Sequence, residues 1–226
     1  MACARPESGE KSKAARRDAP SGGAQQAVGA AKTHRVLFIG TSLTAGLGLD
    51  PDSAYPQLIQ RKIDSAGLHY EVVNAGESGE TSAGLLRRLD WLMKGDFAVA
   101  VLETGANDGL RGLDVAQTER NIQSVIDGIT QAHPAARLVL VQMEAPPNMG
   151  TAYTTAFHAM FPRLARKNGL QLLPFLLDSV AGRAALNQAD GIHPNMVGER
   201  IVAAHVWREL GPTLRDVEAH LAQQGE

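Results

Sequence analysis

Cysteine is almost absent from this 226-residue chain, with Cys3 the only one. That excludes an intrachain disulfide and any cysteine cage for a metal. Aromatic residues are scarce at 4%, which argues against the long stacked platform on which a polysaccharide would lie. A surplus of charge is missing too: the net charge of −2 sets up no field that would gather nucleic acid or an anionic membrane. No apolar run approaches the roughly 18–20 residues of a membrane-spanning helix. H-E-x-x-H and other paired-histidine spacings are absent, and with them the usual signs of a metal site. What is present, 44% hydrophobic and 20% charged residues, is the composition of a soluble globular protein. The length suits one domain with a substantial core.

The charge is unevenly spread. Residues 1–33 carry six Lys/Arg against three acids, and the remainder sixteen against twenty-one. This leader is Ala, Gly, Ser, Pro, Lys and Arg, too poor in large apolar side chains to offset the entropy of ordering it, and reads as a flexible tether. It lacks the apolar stretch of a secretory signal. Ala2-Cys3 followed by a polar tether resembles the start of a mature bacterial lipoprotein. Cys3 is therefore a candidate lipid anchor, and the bacterial periplasm or envelope the expected location. An incidental cysteine in the leader of a cytoplasmic protein is the alternative.

From His34 the texture changes. "HRVLFIG" (34–40) is a short apolar run ending in Gly, as expected of a strand buried on both faces, and similar runs recur at 70–76, 97–105, 137–143 and 170–177. Between them, 54–67, 81–94, 114–133 and 151–168 show helical spacing of apolar residues, and 195–210 closes the domain. Strands alternating with helices of this length predict βαβ units and a parallel sheet covered on both faces. The expected fold is α/β, a three-layer α/β/α sandwich with a mostly parallel, about five-stranded sheet over residues 34–226, ending in a helical tail. No internal repeat is present.

In such folds functional residues gather at the carboxyl ends of the strands. Those ends read "GTSLTAG", "NAGESGETSAG", "ETGANDGLRG" and "MEAPPNMG", and the fifth strand leads to "DGIHPN". None is a P-loop or a G-x-G-x-x-G fingerprint. The G-x-S-x-G elbow is missing as well, because Thr44 stands two after Ser42 and Glu80 two before Ser82. Ser/His/Asp chemistry remains. Ser42, at a strand-to-helix turn, would present its hydroxyl above the sheet, although serine there also serves as a helix cap. Of seven histidines, only His193 has an acid three residues before it and a proline after it. Asp190 can reach Nδ1 of His193, fix its tautomer and leave Nε2 to take a proton from Ser42. Asn107 at the third strand tip can donate to an oxyanion, and Gly79 can offer a backbone N–H at close approach. Thr81 and Ser82 read as capping residues.

Together these residues resemble the SGNH (GDSL-type) hydrolase superfamily, specifically its bacterial thioesterase I/arylesterase branch. The matching blocks are Ser42 in "GTSLTAG", Gly79 in "NAGESGETS", Asn107 in "GANDGLRG" and Asp190/His193 in "DGIHPN", within a resemblance covering about residues 34–212. Two departures stand out: Thr41 replaces the Asp of the usual Gly-Asp-Ser-Leu block, and "GANDG" has Ala for Gly. The resemblance implies a flavodoxin-like sandwich. It implies a serine esterase with Ser42 as nucleophile, His193 as general base, Asp190 orienting it, and an oxyanion hole made by Ser42, Gly79 and Asn107. No cofactor or metal is needed. The expected substrates are small-molecule short- to medium-chain acyl esters, aryl esters or thioesters. Asp108, Leu110, Pro146, Met149 and Tyr153, from the segments 108–114 and 144–157, would flank the acyl group. Tyr153 and Phe157, four apart on a helix, also read as core. Carbohydrate acetylesterase, lysophospholipase, acyl transfer to an alcohol and a noncatalytic binding protein on the same scaffold are the alternatives.

Overall fold

Five short runs of large apolar residues make the sheet in a computed structural model that describes residues 33–225: β1 (His34–Gly40), β2 (Tyr70–Gly76), β3 (Val99–Leu102), β4 (Arg137–Val141) and β5 (Gln171–Leu173). Residues 1–32, with the expected tether and Cys3, lie outside the described residues. All strands are parallel, in the order β2-β1-β3-β4-β5. Central β1 pairs on both sides, with Val36 opposite Val72 and Val99. Val36, Phe38, Ile39, Val99, Ala100 and Leu102 have no exposed surface, as a sheet covered on both faces requires.

Among the described residues, seven α-helices occur in chain order, from α1 (Ser42–Ala45), α2 (Tyr55–Ser65), α3 (Ser82–Leu92) and α4 (Ala106–Leu110) to α5 (Val115–Ala132), α6 (Thr151–Asn168) and α7 (Met196–Gln224). On one side α2 packs with α7; α3, α5 and α6 form the other layer. This is the expected three-layer α/β/α sandwich. Each large core side chain, such as Phe38, Ile59, Ile122 and Phe157, is fully buried, which stabilises the fold by roughly 1.5–3 kcal/mol apiece before entropy is counted.

Prolines account for the largest departures from the sequence reading. The run 170–177 is a strand only to Leu173, because Pro174 has no N–H for the ladder. The apolar spacing over 195–210 and the expected helical tail form one helix, which continues through Pro212 to Gln224. Burial overrides the break: Leu214 is fully buried, the Tyr70 hydroxyl donates to its carbonyl (2.9 Å), and the Gln171 amide donates to the Glu209 carbonyl (3.1 Å). Pro162 lies inside α6 and leaves the carbonyl of His158 without its helical donor. The Gln142 side chain, just beyond β4, supplies one at 3.3 Å.

Sheet order places the topological switch between β1 and β3, where crossovers depart in opposite directions and a crevice opens at the strands' carboxyl ends. Ser42 follows β1, Gly79 follows β2 and Asn107 follows β3.

Candidate active site

Gly40 ends β1 and is required by its surroundings. A Cβ there would overlap the side chain of Thr44 and come within 2.7 Å of Glu103 Oε2. The chain then turns into α1, and the helix cap is Thr41, whose side chain accepts from the N–H of Leu43. Ser42 is free of that duty. Its hydroxyl lies 2.8 Å from Nε2 of His193, 151 residues away in sequence.

The segment "DGIHPN" builds the other half. Asp190 Oδ1 accepts the backbone N–H groups of Ile192 (2.9 Å) and His193 (3.0 Å), and Oδ2 lies 2.7 Å from His193 Nδ1. Gly191 supplies the left-handed turn (φ 70°) that folds the carboxylate back on the ring. Asn195 caps α7 by accepting from Val197 and Gly198 (3.0 and 3.1 Å), anchoring the segment to a long helix. The His193 ring, its own backbone N–H and that of Ile192 hold the Asp190 carboxyl down at about 2, so it is ionised over the whole working range. An ionised acceptor at Nδ1 keeps the proton there and leaves Nε2 as the basic atom facing Ser42.

Gly79 adopts φ 77°, a conformation costly for other residues, and its carbonyl accepts from Arg111 (2.9 Å). The Asn107 amide donates one hydrogen to the Glu80 carbonyl (3.0 Å), which fixes its plane and leaves its second hydrogen available. Among the described residues, no acceptor meets the N–H of Ser42 or of Gly79. A bidentate Arg88–Glu80 pair (both 2.7 Å) braces the loop behind Gly79.

Asp108 corrects an expectation. It does not line a substrate groove: it is 1% exposed, and its carboxylate accepts from the Ser82 N–H (2.8 Å), the Ser82 hydroxyl (2.6 Å) and the Thr118 hydroxyl (3.2 Å). Asp108 ties the start of α3 to the β3 tip. Thr81 caps α3 as expected, while Ser82 has this other role. Leu110 is 43% exposed at the end of α4. Met149 reaches across so that its Cε sits where a side chain at Gly112 would begin. Tyr153 donates its hydroxyl to the Leu113 carbonyl (2.8 Å) and stacks on Phe157, which is buried core. The segments 108–114 and 144–157 thus hold each other, with half-buried Pro146 between β4 and Met149.

Three residues at the site escape a reading from sequence. Glu103, fully buried, accepts the N–H (2.7 Å) and hydroxyl (2.9 and 3.1 Å) of Thr41 and the hydroxyl of Thr44 (3.0 Å). Burial pushes its carboxyl pKa up, and these donors oppose the shift. Its only sequence signal is an acid ending the apolar run "FAVAVLETG". Tyr55 and Glu199 join the same network from α2 and α7, and their spacing of 144 residues carries no local signal. No group of three His, Cys, Asp or Glu among the described residues is placed to hold a metal ion.

Serine, histidine and aspartate stand in one hydrogen-bonded line at the switch point of a parallel α/β/α sheet, an arrangement that the SGNH class of hydrolase would have. The comparisons agree: the sequence model of the GDSL-like lipase/acylhydrolase family matches residues 38–201, and the chain belongs to that family. It is an enzyme, a carboxylic ester hydrolase. Esterase TesA of Pseudomonas aeruginosa is 39% identical over 185 residues, covering 81% of this chain and 91% of that protein. Thioesterase 1/protease 1/lysophospholipase L1 of Escherichia coli K12 is 37% identical over 184 residues, 81% of this chain and 86% of that one. Among solved structures, the psychrotrophic esterase EstA from Pseudoalteromonas sp., in a form inhibited by monoethylphosphonate, matches with a TM-score of 0.76 and 31% identity, covering 80% of this chain and 99% of that chain.

Proposed function

We propose that this enzyme hydrolyses short- to medium-chain acyl esters, aryl esters and thioesters through an acyl-enzyme on Ser42. The observation that carries the reading is the unbroken line Ser42 Oγ–His193 Nε2–Asp190, at 2.8 and 2.7 Å. His193 takes the Ser42 proton as Oγ attacks the acyl carbonyl, and ionised Asp190 stabilises the imidazolium that forms. The N–H groups of Ser42 and Gly79 and the free amide hydrogen of Asn107 receive the oxyanion. His193 then protonates the departing alkoxide or thiolate. Water, deprotonated by the same imidazole, releases the acid. The names of the relatives, an esterase and a thioesterase/lysophospholipase, support acyl esters and thioesters as the substrate class. Exposed Leu110 and half-buried Pro146 and Met149 fit a groove for a modest acyl chain, with Tyr153 supporting its wall.

Hydrolysis of p-nitrophenyl acetate, butyrate and octanoate, and of the matching acyl thioesters, tests this reading. Turnover of all three esters, with a burst of p-nitrophenol equal to the enzyme concentration where deacylation is slow, is expected. Absence of turnover on every one of them overturns it.

Asn107→Ala is expected to lower kcat on the order of 10²–10³-fold, the scale for one oxyanion donor, with KM little changed. Steady-state kinetics beside a thermal melt check this. A parallel rise in KM with unchanged kcat would mean that Asn107 binds the ground state instead.

A further inference from the structure

The segments that carry Ser42 and His193 come from opposite ends of the chain; the Gln188 amide joins them at the surface by donating to the Leu47 carbonyl (2.7 Å), and one buried residue touches both from inside. Tyr55, 1% exposed, begins α2. Its backbone N–H donates at 2.7 Å to Oε2 of Glu199, itself 2% exposed and six residues beyond His193 on α7. Its hydroxyl lies 3.0 Å from Thr44 Oγ1, two residues beyond Ser42. Since the Thr44 hydroxyl donates to Glu103 (3.0 Å), the Tyr55 hydroxyl is the donor in that pair. Its ring is held edge-on against Phe38 of β1 at 5.7 Å. α2 has no side-chain cap of its own at Ala54, so Glu199 fills that place from another element.

We infer that Tyr55, gripped by Thr44 on one side and Glu199 on the other, is a positioning residue that holds the His193 segment in register with Ser42. The inference rests on the serine mechanism proposed above. Proton transfer falls off steeply outside hydrogen-bond reach, and displacements well under 1 Å at either segment reach the 2.8 Å Ser42–His193 contact directly. Two burials favour a role beyond packing. Polar groups without partners are costly in a core, and here the phenol and the carboxyl are both retained at the seam between the two halves of the site. Burial pushes the Glu199 carboxyl up to about 8. Near neutral pH it therefore presents a neutral carboxyl oxygen, which a Gln amide oxygen can replace.

The test uses Tyr55→Phe, which keeps the ring and removes only the hydroxyl, with Glu199→Ala and Glu199→Gln. Each is assayed on p-nitrophenyl acetate and for the rate at which phenylmethylsulfonyl fluoride sulfonylates Ser42, per folded molecule. Tyr55→Phe and Glu199→Ala are expected to lower kcat about 5- to 20-fold with KM within about twofold, and to slow sulfonylation in the same ratio, the scale of one buried hydrogen bond lost. Glu199→Gln is expected to restore kcat to within about twofold of the parent on the same reasoning. The inference is overturned if Tyr55→Phe and Glu199→Ala keep full kcat, if the sulfonylation rate is unchanged while only melting temperature falls, or if Gln is as poor as Ala. Ser42→Ala runs alongside: if it is inactive while the Tyr55 and Glu199 variants are not impaired, the brace alone is wrong, and if it stays active, the serine mechanism falls and the brace with it.

Discussion

Ser42→Ala is expected to remove essentially all ester hydrolysis, a loss of roughly 10⁶ in kcat if serine and histidine act as one unit. The size follows from what the hydroxyl does and does not do. Its hydrogen-bond partner is His193 Nε2. The cap of α1 is Thr41, and the turn is gripped by Glu103 through Thr41 and Thr44. Ala at 42 therefore keeps the cap, the grip and the backbone N–H proposed for the oxyanion, and loses only the nucleophile. Stability should stay within the range of a neutral substitution, about 0.5 kcal/mol, leaving the melting temperature nearly unchanged. An activity assay and a melt on one preparation are enough: loss of activity with an unchanged melt is the expected pair. Hydrolysis above about one per cent of the parent would mean another nucleophile, because the residual catalysis left by an oxyanion hole is only about 10³–10⁴ over water.

Thr41 acquires a physical role in this light. Where the family's usual block has an aspartate, this chain has a hydroxyl that donates to the buried Glu103 carboxylate (2.9 and 3.1 Å). A second carboxylate at that distance would repel the first unless the two shared a proton. The turn before Ser42 is thus held by one acid and two hydroxyls, and the missing aspartate leaves no gap in the grip on the nucleophile.

The parts of this protein legible in its sequence are those decided locally. β1 and β2 have the boundaries their apolar runs mark, because both are flanked by turn residues and lie within the sheet's hydrogen-bonding ladder. Asp190 and His193 are three residues apart, so one turn of chain settles their contact. Ser42 joins them only through sheet order, which periodicity does not specify; there the family resemblance supplied the link. Asp108 is expected beside the acyl group only because segment 108–114 lies there in the resembled branch, whereas its partners, Ser82 and Thr118, lie on other elements and carry no local signal. Pro212 does not interrupt α7, because the burial of Leu214 and the hydroxyl of Tyr70 carry the helix past it. Glu103, Tyr55 and Glu199 belong to contacts between distant segments, where a lone polar residue carries no periodicity at all.

Asp190→Asn is expected to lower kcat by about 10⁴, although it changes one atom and keeps the shape of the loop. The backbone decides why. Asp190 Oδ1 already accepts the N–H groups of Ile192 and His193, so an asparagine must give its oxygen to those two donors. Its amide nitrogen then faces His193 Nδ1, where Oδ2 stood at 2.7 Å. Nδ1 is forced to accept, the ring proton moves to Nε2, and the imidazole can no longer take the proton of Ser42. Asp190→Ala leaves the tautomer free, and should be no worse than the asparagine despite removing more atoms. The pH profile adds an independent check. With three N–H donors holding the Asp190 carboxyl at about 2, Asp190 adds no limb of its own to the kcat/KM profile above about pH 3. A limb in the ordinary carboxylate range, absent from Asp190→Asn, would show that these donors do not hold Asp190 in solution. Without that limb, and with Asn the poorer of the two substitutions, the three donors that fix the carboxylate also account for the direction in which the imidazole points.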